Sequence, residues 1–377
     1  MKGEVDSPEA LQRWLAEPHR AVFQGLDLRD VDEQMAAAMV AECTFLGCLL
    51  GDHTVLAAAH HAAVVVPSTT TLPFHVFRHS LYSPDELYDV VDERGRVDPS
   101  RCLDHLIYAS YADPTTRSPR EVDLETIVMR RLHDTAITDA LDEFLATEVR
   151  VRCVAVMGGH DARRDEEIYV QVAELAQQLA GTGTMVLTGG GPGLMEAANL
   201  GAYTAGFDDP AAALSCVLGD CAGAPSYEDP DWLPTAFAAR RSLGTPQQPA
   251  VSRNVGIPTW FYGHEPPNVF ATHVAKYFEN SVREDGLLAL AQGGMIIAPG
   301  NAGTVQEIFQ DACQNYYTTF TYRSPMVLLG RRYWTEELPA WPLLQRLAAR
   351  KGFDDLLLLT DDPAEVPAFL AAHPPRR

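Results

Sequence analysis

From residue 151 onward the chain alternates short apolar runs with amphipathic stretches. Residues 151–157 read as a buried strand, 166–180 as a helix with one apolar face, 185–188 as a second strand and 194–205 as a second helix. Residues 213–218 continue the alternation as a third strand, before a Pro- and Asp-rich insertion over 219–258. A short strand at 259–262 and a long helix at 269–291 are predicted next, then a strand at 295–298 and a helix from Val305. Residues 325–330 form another strand, a helix lies near 338–349, and 356–359 and 364–372 close the domain. Strands alternating with helices predict an α/β fold, a doubly wound, Rossmann-like parallel sheet covered on both faces. Such sheets bind ligands at the carboxyl ends of their strands.

The first part of the chain is less regular and predicts an additional N-terminal α+β domain. Ser7 followed by Pro8 is a helix start, as are Ser83-Pro84 and Ser118-Pro119. The last of these opens a stretch to Thr147 long enough for two helices. Two segments beginning at Phe23 and Phe45 share the pattern Phe-x-Gly-x-x-Leu and read as β-segments joined by a helix over 32–41. Two copies fall short of the three or so that a stacking array needs. Residues 63–67 read as a buried strand. The boundary then falls between a domain over 1–145 and a nucleotide-binding, catalytic domain over 150–377.

Composition narrows the function. A formal charge of −22 and 29 basic against 51 acidic residues exclude the basic field that non-specific nucleic-acid binding needs. Lys2, Lys276 and Lys351 are the only lysines, and no Gly-Lys-Ser/Thr occurs, which removes phosphate-loop ATPases. Lys276, the one lysine in the sheet region, is expected in a helix, a poor place for a Schiff-base nucleophile. Seven cysteines without a Cys-x-x-Cys pair argue against a disulfide framework and a zinc site, and fit a reducing cytoplasm. His60-His61 has no further ligand at metal spacing, so no metal is expected. The start lacks an apolar signal core and the longest apolar run, 62–67, is too short for a span, so no membrane association is expected.

Two glycine-rich loops each follow an apolar strand and precede a helix: Gly189 to Gly193, and Pro299 to Thr304. Backbone N–H groups and the positive helix end there face an anion, and glycine permits close approach. A dinucleotide reading fits poorly. The loop at Gly158 and Gly159 lacks Gly-x-Gly-x-x-Gly, and no acidic residue ends the 185–188 strand to hold a ribose. A mononucleotide or sugar phosphate suits the loops better. Arg163 and Arg164 are candidate phosphate ligands, His160 a candidate to face the site, the Tyr262-to-Asn268 segment a candidate base or ribose contact, and Trp232 with Arg240-Arg241 a candidate lid or dimer contact.

The motifs Thr188-Gly-Gly-Gly-Pro-Gly-Leu-Met-Glu-Ala-Ala-Asn199 and Pro299-Gly-Asn-Ala-Gly-Thr-Val-Gln-Glu307 resemble those of the LOG family, nucleoside 5′-monophosphate phosphoribohydrolases long mislabelled lysine decarboxylases. The resemblance covers roughly residues 150 to 330, and the chain's length is similar to that of the larger bacterial nucleotide nucleosidases of the family. It implies N-glycosidic hydrolysis of a nucleoside monophosphate to free base and ribose 5-phosphate, no cofactor, and a homodimer or higher homo-oligomer. It implies Glu307 and Arg283, 24 residues earlier, as the catalytic pair. By the same resemblance Gly158, Gly159, Gly190, Gly191, Gly193, Met195, Glu196, Gly300, Asn301, Ala302, Gly303 and Thr304 bind substrate. Asn301 stands where the family has glycine; it is expected to keep a left-handed turn and to put its side chain into the phosphate or ribose region. A non-catalytic nucleotide-binding or sensing protein is the alternative that this departure leaves open.

Overall fold

In a computed structural model the chain is described over residues 3–67, 72–92, 96–113, 119–147, 153–261 and 266–376. Two compact units divide it, Met1–Leu81 with Pro119–Thr147, and Tyr82–Ser118 with Glu148–Arg377. Residues 82–118, on the N-terminal side of the boundary read from sequence, thus pack with the sheet unit.

The first unit runs β1 (Glu4–Val5), α1 (Pro8–Ala16), β2 (Val22–Gln24), α2 (Asp32–Ala38), β3 (Thr44–Leu46), α3 (Asp52–His60) and β4 (Val64–Val66). Its strands pair in chain order and are all parallel. The sequence echo is register: Phe23 pairs with Phe45 and their rings stack at 4.8 Å. Gly25 and Gly47, both at φ 65°, make the same left-handed turn after their strands. β1 and β4 extend the array on either side without the phenylalanine and glycine that would have announced them. β4 is not buried as expected: it ends the sheet, and Val64 and Val65 are 55% and 43% exposed. Two helices that follow in the chain, α4 (Pro84–Leu87) and α5 (Leu103–Tyr111), belong to the sheet unit, whereas α6 (Leu124–Thr147) completes the first unit as one helix rather than two. Ser7 and Ser83 cap α1 and α4 as their sequences predict.

The second unit contains β5 (Cys153–Met157), α7 (Glu167–Gly181), β6 (Met185–Thr188), α8 (Leu194–Thr204), α9 (Pro210–Cys221), α10 (Trp232–Leu243), α11 (Pro249–Ser252), β7 (Asn254–Gly256) and β8 (His273–Val274). It continues with α12 (Asn280–Leu290), β9 (Gly294–Ile297), α13 (Ala302–Tyr317), β10 (Met326–Leu329), α14 (Trp341–Lys351), β11 (Leu357–Thr360) and α15 (Glu365–Ala372). Seven parallel strands form a sheet in the order β11-β10-β9-β5-β6-β7-β8. Four of the five inner strands, β5, β6, β9 and β10, are almost entirely buried, as continuous apolar runs covered on both faces must be. From β5 the chain builds outward through β6, β7 and β8, then returns to lay β9 on the other side of β5. The β5–β9 boundary is therefore the topological switch point, where a crevice opens at the carboxyl ends.

Three predicted elements are corrected. Residues 213–218 are helical within α9, because Asp209 caps its first turn and Pro210 suits that turn. The strand expected at 259–262 lies earlier, as β7, and Thr259 makes only an isolated bridge to Tyr277. The long helix at 269–291 is instead β8 followed by α12. Lys276 is accordingly not helical. It is fully buried, its Nζ 2.6 Å from the carboxylate of Asp104 in α5, and it faces the Trp260 ring. Residues 151–152 of the first predicted sheet strand, and 262–265 of the Tyr262-to-Asn268 segment, lie outside the described residues.

Candidate functional site

The switch point brings together loops that are distant in sequence. After β5, the Gly159 N–H donates to the Pro299 carbonyl at 2.9 Å, and the Gly159 carbonyl accepts from Leu194 N–H at 3.0 Å. Three glycine loops, after β5, β6 and β9, thereby share one crevice. Their glycines are required by space: a Cβ on Gly193, at φ 67°, would lie 2.3 Å from the Gly159 carbonyl oxygen, and one on Gly300 2.9 Å from Gly159 N. Gly190, at φ 73°, packs against Pro258 and the backbone of Ile257 in the same manner.

Arg283 and Glu307, widely separated in sequence, meet here. Arg283 projects from α12 and Glu307 from the second turn of α13; Nη1 and Oε1 stand 3.6 Å apart, with side chains 9% and 12% exposed. The same Nη1 would be 3.7 Å from a Cβ on Gly189, and the Met195 sulfur touches that glycine too. Asn280 accepts from Nη2 of Arg283, and Glu284 is held by Asn280 and Gln306. The Nε of Arg283 is buried without a hydrogen-bond partner among the described residues. A desolvated guanidinium with an unused donor is one that a ligand oxygen can satisfy.

The second motif splits in two. Gly300 and Thr304 are buried, whereas Asn301, Ala302 and Gly303 are exposed at the open start of α13. Asn301 is at φ −90°, not left-handed, and makes no capping hydrogen bond with its side chain. Its backbone conformation is one that any residue adopts, so glycine is not required there, and its exposed side chain stands at the mouth. First-turn N–H groups not covered by a cap, at the positive end of a 16-residue helix, suit an anion.

Other predicted residues have different work. Glu196 is fully buried, accepting from both Arg164 nitrogens at 2.6 and 3.0 Å and from the Tyr169 hydroxyl at 2.9 Å. Arg164 also donates to the carbonyls of Ala224 and Trp232, so it braces α7, α8 and α10 instead of facing a ligand. Arg163 is exposed and pairs with Asp165. His160 lies in the first loop with its ring 5.8 Å from that of Tyr227.

Two supports escaped sequence reading. Tyr333, in a π-helical turn after β10, donates to the Gly300 carbonyl at 2.8 Å and pins the second loop; burial beside Glu337 and Asp161 raises its hydroxyl pKa. Beneath the β6 loop lies a buried amide network. The Thr188 hydroxyl donates to Asn199 Oδ1 and accepts from Gly190 N–H, Asn199 donates to Asn254, and Asn268 donates to the Gly191 carbonyl. Asn199 belongs to the first motif, so half of this network was visible; Asn254 and Asn268 lie in segments whose structure sequence reading misplaced.

Residues 151–207 match the family described as the SLOG cluster4 family. The SLOG superfamily includes the LOG family, so the resemblance read from the motifs holds at superfamily level. The matched stretch contains the β5 and β6 loops and Glu196; Arg283 and the Pro299-to-Glu307 motif lie beyond it. The chain is also similar to the molybdenum cofactor binding protein from the phototrophic bacterium Rippkaea orientalis, at 15% identity and a TM-score of 0.37, over 59% of this chain and 98% of that one. It is similar to the Moco carrier protein from Chlamydomonas reinhardtii at 19% identity and a TM-score of 0.35, over 59% of this chain and 99% of that one. No curated protein matches the chain. No helix among the described residues is long and apolar enough to cross a membrane.

Proposed function

We propose that the crevice binds a nucleoside 5′-monophosphate and hydrolyses its N-glycosidic bond. The observation that carries the reading is the Arg283–Glu307 contact of 3.6 Å against the glycine loop that ends β6. The phosphate would rest on the Gly300-to-Thr304 turn and the start of α13, supported by Gly190, Gly191 and Gly193. Cleavage breaks the C1′–N bond and forms a C1′–O bond from water, while a water proton leaves with the base. Positive charge builds on C1′ and the ring oxygen, and a nearby carboxylate both stabilises it and draws the water's proton. Glu307 is assigned that role. Arg283 orients the carboxylate, and its unused Nε–H is a donor for a ribose or phosphate oxygen. A homo-oligomer accompanies this reading.

A non-catalytic binding or sensing role is the second reading, favoured by the exposed Asn301 at the mouth of the crevice. Incubation with a panel of nucleoside monophosphates, followed by chromatography of the free base, separates the two. Release of base and ribose 5-phosphate in equal amounts supports hydrolysis. A nucleotide that raises the melting temperature and is recovered intact supports binding alone and overturns hydrolysis.

A further inference from the structure

The β7–β8 edge of the sheet holds a cavity of about 460 Å³. Ser252 and Arg253, just before β7, and Thr272 and His273, at the start of β8, line it. These are the amino ends of parallel strands, so the cavity stands across the sheet from the glycine loops. Its volume falls in the range that small-ligand sites occupy.

Its charge runs against the rest of the molecule. The chain carries 51 acidic and 29 basic residues, yet the lining side chains include three guanidiniums, Arg240, Arg241 and Arg253, and one carboxylate, Asp85. Arg240 and Arg241 end α10, where a cation also meets the negative end of the helix dipole. Dipole compensation accounts for an arginine that stays in solvent, as Arg241 does, but not for Arg240. The Arg240 guanidinium turns inward over the Tyr203 ring, and its Nη2 lies 3.3 Å from Asp85. Its Nη1 is buried and has no hydrogen-bond partner among the described residues. A buried guanidinium donor left open is costly unless an acceptor arrives. His273 reports the same field: burial and then the Arg253 charge hold its pKa at about 4, so the ring does not add a proton at neutral pH. Tyr203 and Phe237, both buried, supply an apolar wall. The hydroxyls of Ser252 and Thr272 already donate to backbone carbonyls, which leaves the Arg240 and Arg241 guanidiniums as the recognition groups.

We propose that this cavity is a second ligand site, taking a small phosphate-bearing anion whose less polar part lies on Tyr203 and Phe237. Arg240 and Arg241 grip the phosphate, and arginine is the residue suited to doing so by paired hydrogen bonds. The site is separate from the crevice and does not depend on hydrolysis there. Calorimetric titration of the full chain with inorganic pyrophosphate at fixed ionic strength tests it. Arg283→Gln weakens any binding in the crevice, and Arg241→Gln, at an exposed position, leaves the fold intact. Saturable binding that persists in Arg283→Gln and weakens at least about tenfold in Arg241→Gln supports the proposal. Arg240→Gln, checked for folding by circular dichroism, should weaken it likewise. Wild-type protein that does not bind pyrophosphate overturns the proposal, as does binding lost in Arg283→Gln and retained in Arg241→Gln.

Discussion

Gly193 and Gly303 occupy the two loops for different reasons. At Gly193 the backbone is left-handed and a Cβ would strike the Gly159 carbonyl at 2.3 Å, whereas a Cβ on Gly303 meets nothing within 4 Å. Gly193→Ala is expected to cost more than about 2 kcal/mol, while Gly303→Ala is neutral or stabilises by up to about 1 kcal/mol. Urea midpoints measured side by side check this contrast. Asp311, four residues beyond Glu307, is fully buried with one oxygen unpartnered among the described residues, and burial alone raises its pKa from 3.8 to about 7. A carboxyl whose folded pKa is raised holds more protons folded than unfolded, so its contribution to stability is full below 3.8 and is lost as pH rises to about 7. Relative to wild type, Asp311→Asn should therefore gain stability steadily between about pH 4 and pH 7 and no further above it. The difference in melting temperature across that range reads the effect; a difference independent of pH contradicts it. At this scale the motif glycines, Arg283 and Glu307 were legible because their types and spacing carry the chemistry. What Glu196 and Arg164 do was not, since only the fold shows that each is consumed by the other.

A helix with one apolar face, such as α7, was readable, whereas short apolar runs without a periodic polar face were not. In α9 the apolar run at 213–218 suits a strand equally well, and the deciding residues, Asp209 and Pro210, precede it. The Asp209 side chain accepts from Ala212 N–H at 3.0 Å. Asp209→Ala should lower stability by about 1 kcal/mol, measured by chemical denaturation. An unchanged midpoint would show that packing alone maintains this helix. The segment at 269–278 misled for another reason: Val269, Phe270, Ala271 and then 274–278 are all buried, so no polar face marks a period. β7 has only three residues, of which Asn254 serves the amide network more than the strand pattern. The Phe-x-Gly-x-x-Leu echo gave two strands of a four-stranded array, because the outer strands lack its phenylalanine and glycine.

Across the whole chain, the alternation of strand and helix disclosed a parallel sheet but not its order. Strand order depends on where each crossover returns, and that places the β5 and β9 loops side by side at the switch point. Nor was the unit boundary legible, since residues 82–118 join the sheet unit through contacts far apart in sequence, such as Asp104 with Lys276. The central claim is that Glu307 does chemistry on a nucleotide held by the glycine crevice. It is tested most directly by Glu307→Gln on whichever nucleoside monophosphate the wild type consumes, with dissociation constant and kcat for base release measured on the same preparation. The dissociation constant is expected to stay unchanged and kcat to fall by about 100-fold or more. A variant that releases base at the wild-type rate would contradict it.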